Sequence, residues 1–86
     1  MNITAVLITI KEDVNVNDIP EVLQQERAII QEYNAKGYMY DLLLRPNRNG
    51  ALLLFKDLED DKVQELVNAL PLFPYLKTIE TWPFIK

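Results

Sequence analysis

The chain contains neither histidine nor cysteine, so acid–base chemistry falls to Asp, Glu, Lys or Tyr. Thiolate nucleophiles, disulfides and the usual transition-metal ligand set are missing. Among the remaining groups Glu26 stands out by position. It lies between Val22 and Ile29, within a set of apolar residues (Ile19, Val22, Leu23, Ile29, Ile30, Tyr33) that forms one stripe when advanced by about 100° per residue. Glu21, Arg27 and Glu32 fall toward the solvent side of the same wheel. A carboxylate turned toward a core costs on the order of 3 kcal/mol or more unless it is paired, hydrogen-bonded or protonated. Burial raises its pKa toward neutrality, where it can both take and return a proton, whereas a neighbouring Arg48 favours the ionised form. Structural alternatives compete with this reading: an ion pair with Arg45, Arg48 or Lys56, exposure at a subunit edge, or a helix rotated from the wheel. Tyr40 offers a hydroxyl to a ligand, although a tyrosine on a strand is first a packing residue. Asp41 is a weaker candidate, satisfied by any edge or interface position.

The elements that must position these residues follow from periodicity. Ile3 to Ile10 is β-branched and apolar on both alternating faces, which predicts a strand covered on two sides. Asp18-Ile19-Pro20-Glu21 has the form of a capping box, and Gly37 that of a helix stop, so a first helix is expected between them. Tyr38 to Arg45 and Ala51 to Lys56 are expected as a hairpin, turned at Pro46-Asn47-Arg48-Asn49-Gly50, with Asn-Gly supplying positive φ. In that hairpin Tyr40, Leu42 and Leu44 share one face, while Met39, Asp41, Leu43 and Arg45 share the other. Val63, Leu66, Val67 and Leu70 at i, i+3, i+4 and i+7 predict a second helix, with the acids of Asp57 to Asp61 at its N-terminus. Those acids lack a calcium-loop spacing and read as a solvated cap rather than a magnesium site. Pro71 and Pro74 then end the helix, with Leu72 and Phe73 filling a core or interface gap. Tyr75 to Phe84 closes the chain as a strand, Pro83 marking an end or an edge. The order strand, helix, strand, strand, helix, strand is the ferredoxin-like βαββαβ arrangement, an α+β fold with one four-stranded antiparallel sheet and both helices on one side.

Composition narrows the classes further. Eighty-six residues make a single domain, 1–86, near the lower size at which one core is stable, and such a domain gains from self-association. Both apolar faces of the first strand point the same way, because one domain cannot cover both. Thirteen acids against nine scattered bases, net charge -4, leave no electrostatic footprint for nucleic acid. The apolar run at the N-terminus is too short to span a bilayer, so no membrane partner is expected and the chain reads as cytoplasmic.

Leu70-Pro71-Leu72-Phe73-Pro74-Tyr75 resembles the signature near the C-terminus of the muconolactone delta-isomerase family. Glu26, Gln31-Glu32, Gly37, Arg48, Phe55 and Glu65-Leu66 support the resemblance, which covers nearly the whole chain. It departs from the family at Leu23-Gln24-Gln25, where basic residues are usual, and at Tyr38 to Leu43, which is less basic here. The resemblance implies a dimeric α+β barrel, in which two sheets pack face to face, as a homodimer or larger homo-oligomer. It also implies aromatic catabolism, and a metal- and cofactor-free shift of a double bond in a small unsaturated lactone or related carbonyl compound. Glu26 would then shuttle the proton, and Arg48 or Tyr40 would stabilise the developing enolate oxygen. The alternative is a non-catalytic module of the same fold that binds a small organic ligand or assembles with itself. Haem-dependent chemistry is disfavoured, since no histidine is available as an axial ligand.

Overall fold

The first strand, β1 (Asn2–Ile10), takes the middle of the sheet, as its two apolar faces require. The computed structural model describes residues 1–86. After β1 come α1 (Pro20–Ala35), β2 (Met39–Leu44), β3 (Gly50–Lys56), α2 (Asp60–Asn68) and β4 (Leu76–Ile85), with 3-10 turns at Val16–Asp18 and Phe73–Tyr75. The four strands lie in the order β2-β3-β1-β4, and every neighbouring pair is antiparallel. This is the ferredoxin-like α+β fold expected from the element order.

Strand pairing sorts the sheet into two faces. Val6, Ile8 and Ile10 of β1 join Ala51, Leu53 and Phe55 of β3 under the helices, and they bury against Ile30 and Tyr33 of α1 and Val63, Leu66 and Val67 of α2. Val6 and Phe55 are wholly inaccessible, so this is the densest part of the core. The opposite face carries Ile3, Ala5 and Leu7, which stand across from Lys56, Leu54 and Leu52 on one side and Phe84, Trp82 and Glu80 on the other. No helix covers it. Trp82 and Phe84 are each about half exposed, as is Leu43, which pairs with Leu52 on the same face.

Several local expectations are revised by the structure. Asp18 lies in the 3-10 turn rather than capping α1; the helix starts at Pro20 with Ile19 before it and no side-chain cap, because the Asn15 carboxamide has already closed the preceding turn on the Asn17 amide. The C-terminus of α1 does follow the sequence. Gly37 has φ 78°, and the Tyr38 amide returns to the Tyr33 carbonyl at 3.0 Å in a Schellman closure. In the β2–β3 turn the positive φ falls at Arg48 (61°) and not on the Asn-Gly pair. Gly50 already belongs to β3, opposite Thr9, where an added Cβ would sit 2.5 Å from the Ile8 carbonyl oxygen. Its small size serves close strand approach.

A register shift between Met39 and Asp41 also changes the faces of β2. Met39 opposes Phe55 and is buried on the helix side, where Leu42 is partly buried, while Asp41 and Leu43 remain on the open side and Tyr40 is the extra residue of the bulge. Asp57, expected in the cap of α2, instead holds the start of β1: it has φ 53°, its carboxylate accepts from the Asn2 amide at 3.0 Å, and its amide donates to the Asn2 carbonyl at 2.8 Å. Between α2 and β4, Leu72 fills the core as expected, but Phe73 remains 37% exposed and does not.

Candidate functional site

Glu26 sits in the middle of α1, on the stripe that continues to the buried Ile30 and Tyr33. Its partner is a backbone amide. Oε1 accepts a hydrogen bond of 3.1 Å from the N–H of Leu72, in the connector between α2 and β4. The prolines explain why that donor is free. Pro71 and Pro74 have no amide, the Leu70 amide turns back to Val67, and Phe73 and Tyr75 donate to Leu70 and Leu72 at 2.9 and 2.8 Å. Leu72 is therefore the one residue of the six whose N–H has no backbone acceptor.

Burial raises the Glu26 pKa above the ordinary glutamate range, and the Leu72 hydrogen bond offsets part of that rise. The sequence suggested Arg48 as the opposing influence; the structure puts the Leu72 amide in that role. Glu26 forms no ion pair, since the three in the molecule are Glu32–Lys36, Glu65–Lys62 and Glu12–Lys77. Its second oxygen, Oε2, makes no hydrogen bond. No buried side-chain oxygen is left without a partner, so Oε2 is not sealed off within the core. Nearby, Tyr33 donates its hydroxyl to the Leu66 carbonyl at 2.7 Å, and burial followed by the charge of Glu26 keeps its phenol protonated to higher pH than usual.

Arg48 lies in the β2–β3 turn, where its side chain makes no hydrogen bond or ion pair. That turn and the Leu72 connector flank the same end of β1: the Ile10 amide donates to the Asn49 carbonyl at 2.8 Å, and the Lys11 amide to the Tyr75 carbonyl at 2.9 Å. Tyr40 is at the other end of the sheet, beside the Met39–Phe55 pair. The length of β3, seven residues at about 3.3 Å each, separates it from Arg48. There its ring carries the Lys86 ammonium 4.8 Å from the centroid, and its hydroxyl accepts from the same nitrogen. Arg48 and the connector that Glu26 bonds thus flank one end of β1, and Tyr40 lies at the other end of the sheet.

Two hollows lie away from Glu26. A groove of about 670 Å³ runs between Asn2–Thr4, the start of α2 and Pro83–Ile85, and a smaller one of about 210 Å³ separates α2 from Ile79 and Thr81. No three carboxylates gather to form a metal-binding group. No helix is long and apolar enough to cross a membrane. Sequence reasoning found Glu26 through helical periodicity. It missed the Leu72 amide, whose signal was the pair of prolines that strip the connector of other donors, and it missed Lys86, the partner of Tyr40.

Fold and carboxylate together define a small ferredoxin-like α+β protein with one partly desolvated acid set in its helix layer. The chain belongs to the muconolactone delta-isomerase family, whose sequence model matches residues 3–85. A comparison with curated proteins finds no match.

Proposed function

We propose that this muconolactone isomerase-like protein moves a double bond in a small unsaturated lactone, or a related carbonyl compound, by cofactor-independent proton transfer through Glu26. The observation that supports this is the carboxylate itself: half-buried, unpaired by any cation, raised in pKa, and with one oxygen free of hydrogen bonds. A base of that kind removes a proton next to a conjugated carbonyl, and the C–H electron pair moves onto the carbonyl oxygen as an enolate. Return of the proton at another carbon restores the carbonyl and leaves the double bond displaced, with no redox change. Arg48, at the same end of β1, is the cation suited to the enolate oxygen. Tyr40 is too far along the sheet to reach the same small molecule within one chain.

The test is Glu26→Gln, followed by proton NMR of an unsaturated γ-lactone acid in deuterated buffer. Isomerisation and solvent exchange should fall by at least about a hundredfold with the fold retained. Unchanged turnover would take Glu26 out of the reaction. The competing reading, a binding module without chemistry, draws on the Leu72 hydrogen bond, which already satisfies one carboxylate oxygen. That reading expects lactone binding without turnover in the unaltered protein.

We also propose that the protein is a homo-oligomer in which the helix-free face of the sheet meets a second copy. Leu43, Trp82 and Phe84 form an exposed apolar cluster on a face that also carries Asp41, Lys56 and Glu80, and their neighbours Ile3 and Ala5 are already shielded. Equilibrium sedimentation at low micromolar concentration checks this: a folded monomer there would rule it out.

A further inference from the structure

The six residues from Leu70 to Tyr75 are held from several sides independently of Glu26. The Leu70, Phe73 and Tyr75 amides close turns on Val67, Leu70 and Leu72. The Lys11 amide and ammonium, just past the end of β1, bind the Tyr75 and Pro74 carbonyls at 2.9 and 3.1 Å. Pro71 and Pro74 each have a fixed φ. Leu72 is buried at the centre of this construction, so the direction of its N–H is set before any carboxylate arrives. Glu26 is the adaptable partner, a side chain with several rotatable bonds on the facing helix.

We infer that the Leu72 backbone amide is a positioning group for proton transfer: by holding Oε1 of Glu26 it restrains the carboxyl group and leaves Oε2 as the oxygen that takes up and returns the proton. The inference rests on the reading of Glu26 as the proton-transferring group, and it adds which oxygen acts and what aims it. An unrestrained glutamate would present either oxygen and several orientations, and small errors of alignment are costly in proton abstraction. Neutral and ionised forms are both compatible with the bond, because the carbonyl oxygen of a carboxylic acid still accepts from an amide while its hydroxyl lies on Oε2. The shuttle therefore keeps its aim through the cycle. Tyr33, which feels the charge of Glu26, has its hydroxyl committed to Leu66, and the one ammonium on the connector, that of Lys11, is committed to Pro74.

The test replaces Leu72 by its α-hydroxy acid analogue, which turns the amide into an ester and deletes the donor while keeping the side chain. Carbon-13 NMR of the Glu26 carboxyl should show its pKa moving further upward in the ester protein. The pH profile of kcat/KM for an unsaturated γ-lactone acid should move by the same amount, with kcat reduced at least tenfold at its optimum. An unmoved carboxyl titration would overturn the inference, as would a moved titration with an unmoved rate profile, which makes the bond structural only. In the unaltered protein, the Leu72 amide resonance should titrate with Glu26 and keep its protection from hydrogen exchange on both sides of the midpoint. Loss of protection on protonation would also overturn the inference, and this measurement needs neither the ester nor turnover. Failure of the functional reading looks different: Glu26→Gln would keep full turnover while the NMR results stood.

Discussion

At the scale of single residues, the molecule turns on a carboxylate whose charged form is disfavoured by its surroundings. Burial raises the Glu26 pKa above its ordinary value of 4.5. Between that value and the raised one, the folded chain holds a proton that the unfolded chain has released. Stability contributed by this group is therefore complete below 4.5 and is lost as pH rises through the raised pKa. Glu26→Gln keeps an acceptor for the Leu72 amide and removes the charge. Thermal melts of the two proteins should coincide at acid pH, and the variant should melt higher at neutral pH; coincidence throughout would mean that Glu26 is not disfavoured when ionised. Tyr33 makes a second residue-scale bond, to a carbonyl in the last turn of α2 that the helix's own amides leave over. Tyr33→Phe should cost about 1–2 kcal/mol in urea unfolding, the usual consequence of stranding a buried acceptor. Glu26 was legible in the sequence because a 3.6-residue period makes one charged residue among apolar ones conspicuous. The Leu72 amide was not, because every residue but proline has one, and which stays unpaired depends on how the connector folds.

At the scale of elements, periodicity carried the identities and the backbone carried the exceptions. The apolar spacing of Val63, Leu66, Val67 and Leu70 was enough to place α2 and its buried face, since all four are in the core. The bulge at Tyr40 left no such mark. One extra residue moved Met39 to the opposite face from the one alternation assigns, and the gain is its burial against Phe55. In the connector, the two apolar residues between the prolines divide their roles. Leu72→Ala should lower stability by about 3 kcal/mol, the middle of the range for a buried leucine. Phe73→Ala, at a 37% exposed position, should change the stability of the single chain far less, and any larger effect should appear in association. Gly50→Ala tests the sheet: with the Ile8 oxygen 2.5 Å from the added carbon, β1 and β3 must separate. A loss of about 1–3 kcal/mol is expected, measured by chemical unfolding.

At the scale of the whole molecule, the helices protect only one side of the sheet, and the other displays aromatic and aliphatic groups that a single chain leaves half in water. The sequence showed this through the first strand, apolar on both alternations, but it could not show which partner residues share the open side. Pairing does: Trp82 stands across from Ala5, and Phe84 from Ile3. If the proposed homo-oligomer forms through this face, a charge placed there blocks it without touching the core. Trp82→Glu should sediment as a single chain with an unchanged far-ultraviolet circular dichroism spectrum, and continued assembly would locate the contact elsewhere. The charged end of that surface is already organised, since the Lys86 ammonium reaches from β4 across the sheet to the Tyr40 ring.

The tight seating of Gly50 bears on how the protein ages. Asparagine followed by glycine is the pairing most prone to deamidation in flexible peptides, because the unhindered glycine nitrogen can swing onto the asparagine side chain and close a succinimide. In this molecule the backbone on both sides of that bond is restrained: the Asn49 carbonyl is held by the Ile10 amide, its own amide is within 3.4 Å of the Asn47 Oδ1, and Gly50 lies close against β1. Deamidation of Asn49 is therefore expected to run faster in the unfolded chain than in the folded one. Peptide mapping of protein stored folded and in denaturant checks this: equal isoaspartate at Asn49 in both would show that the hairpin gives no protection.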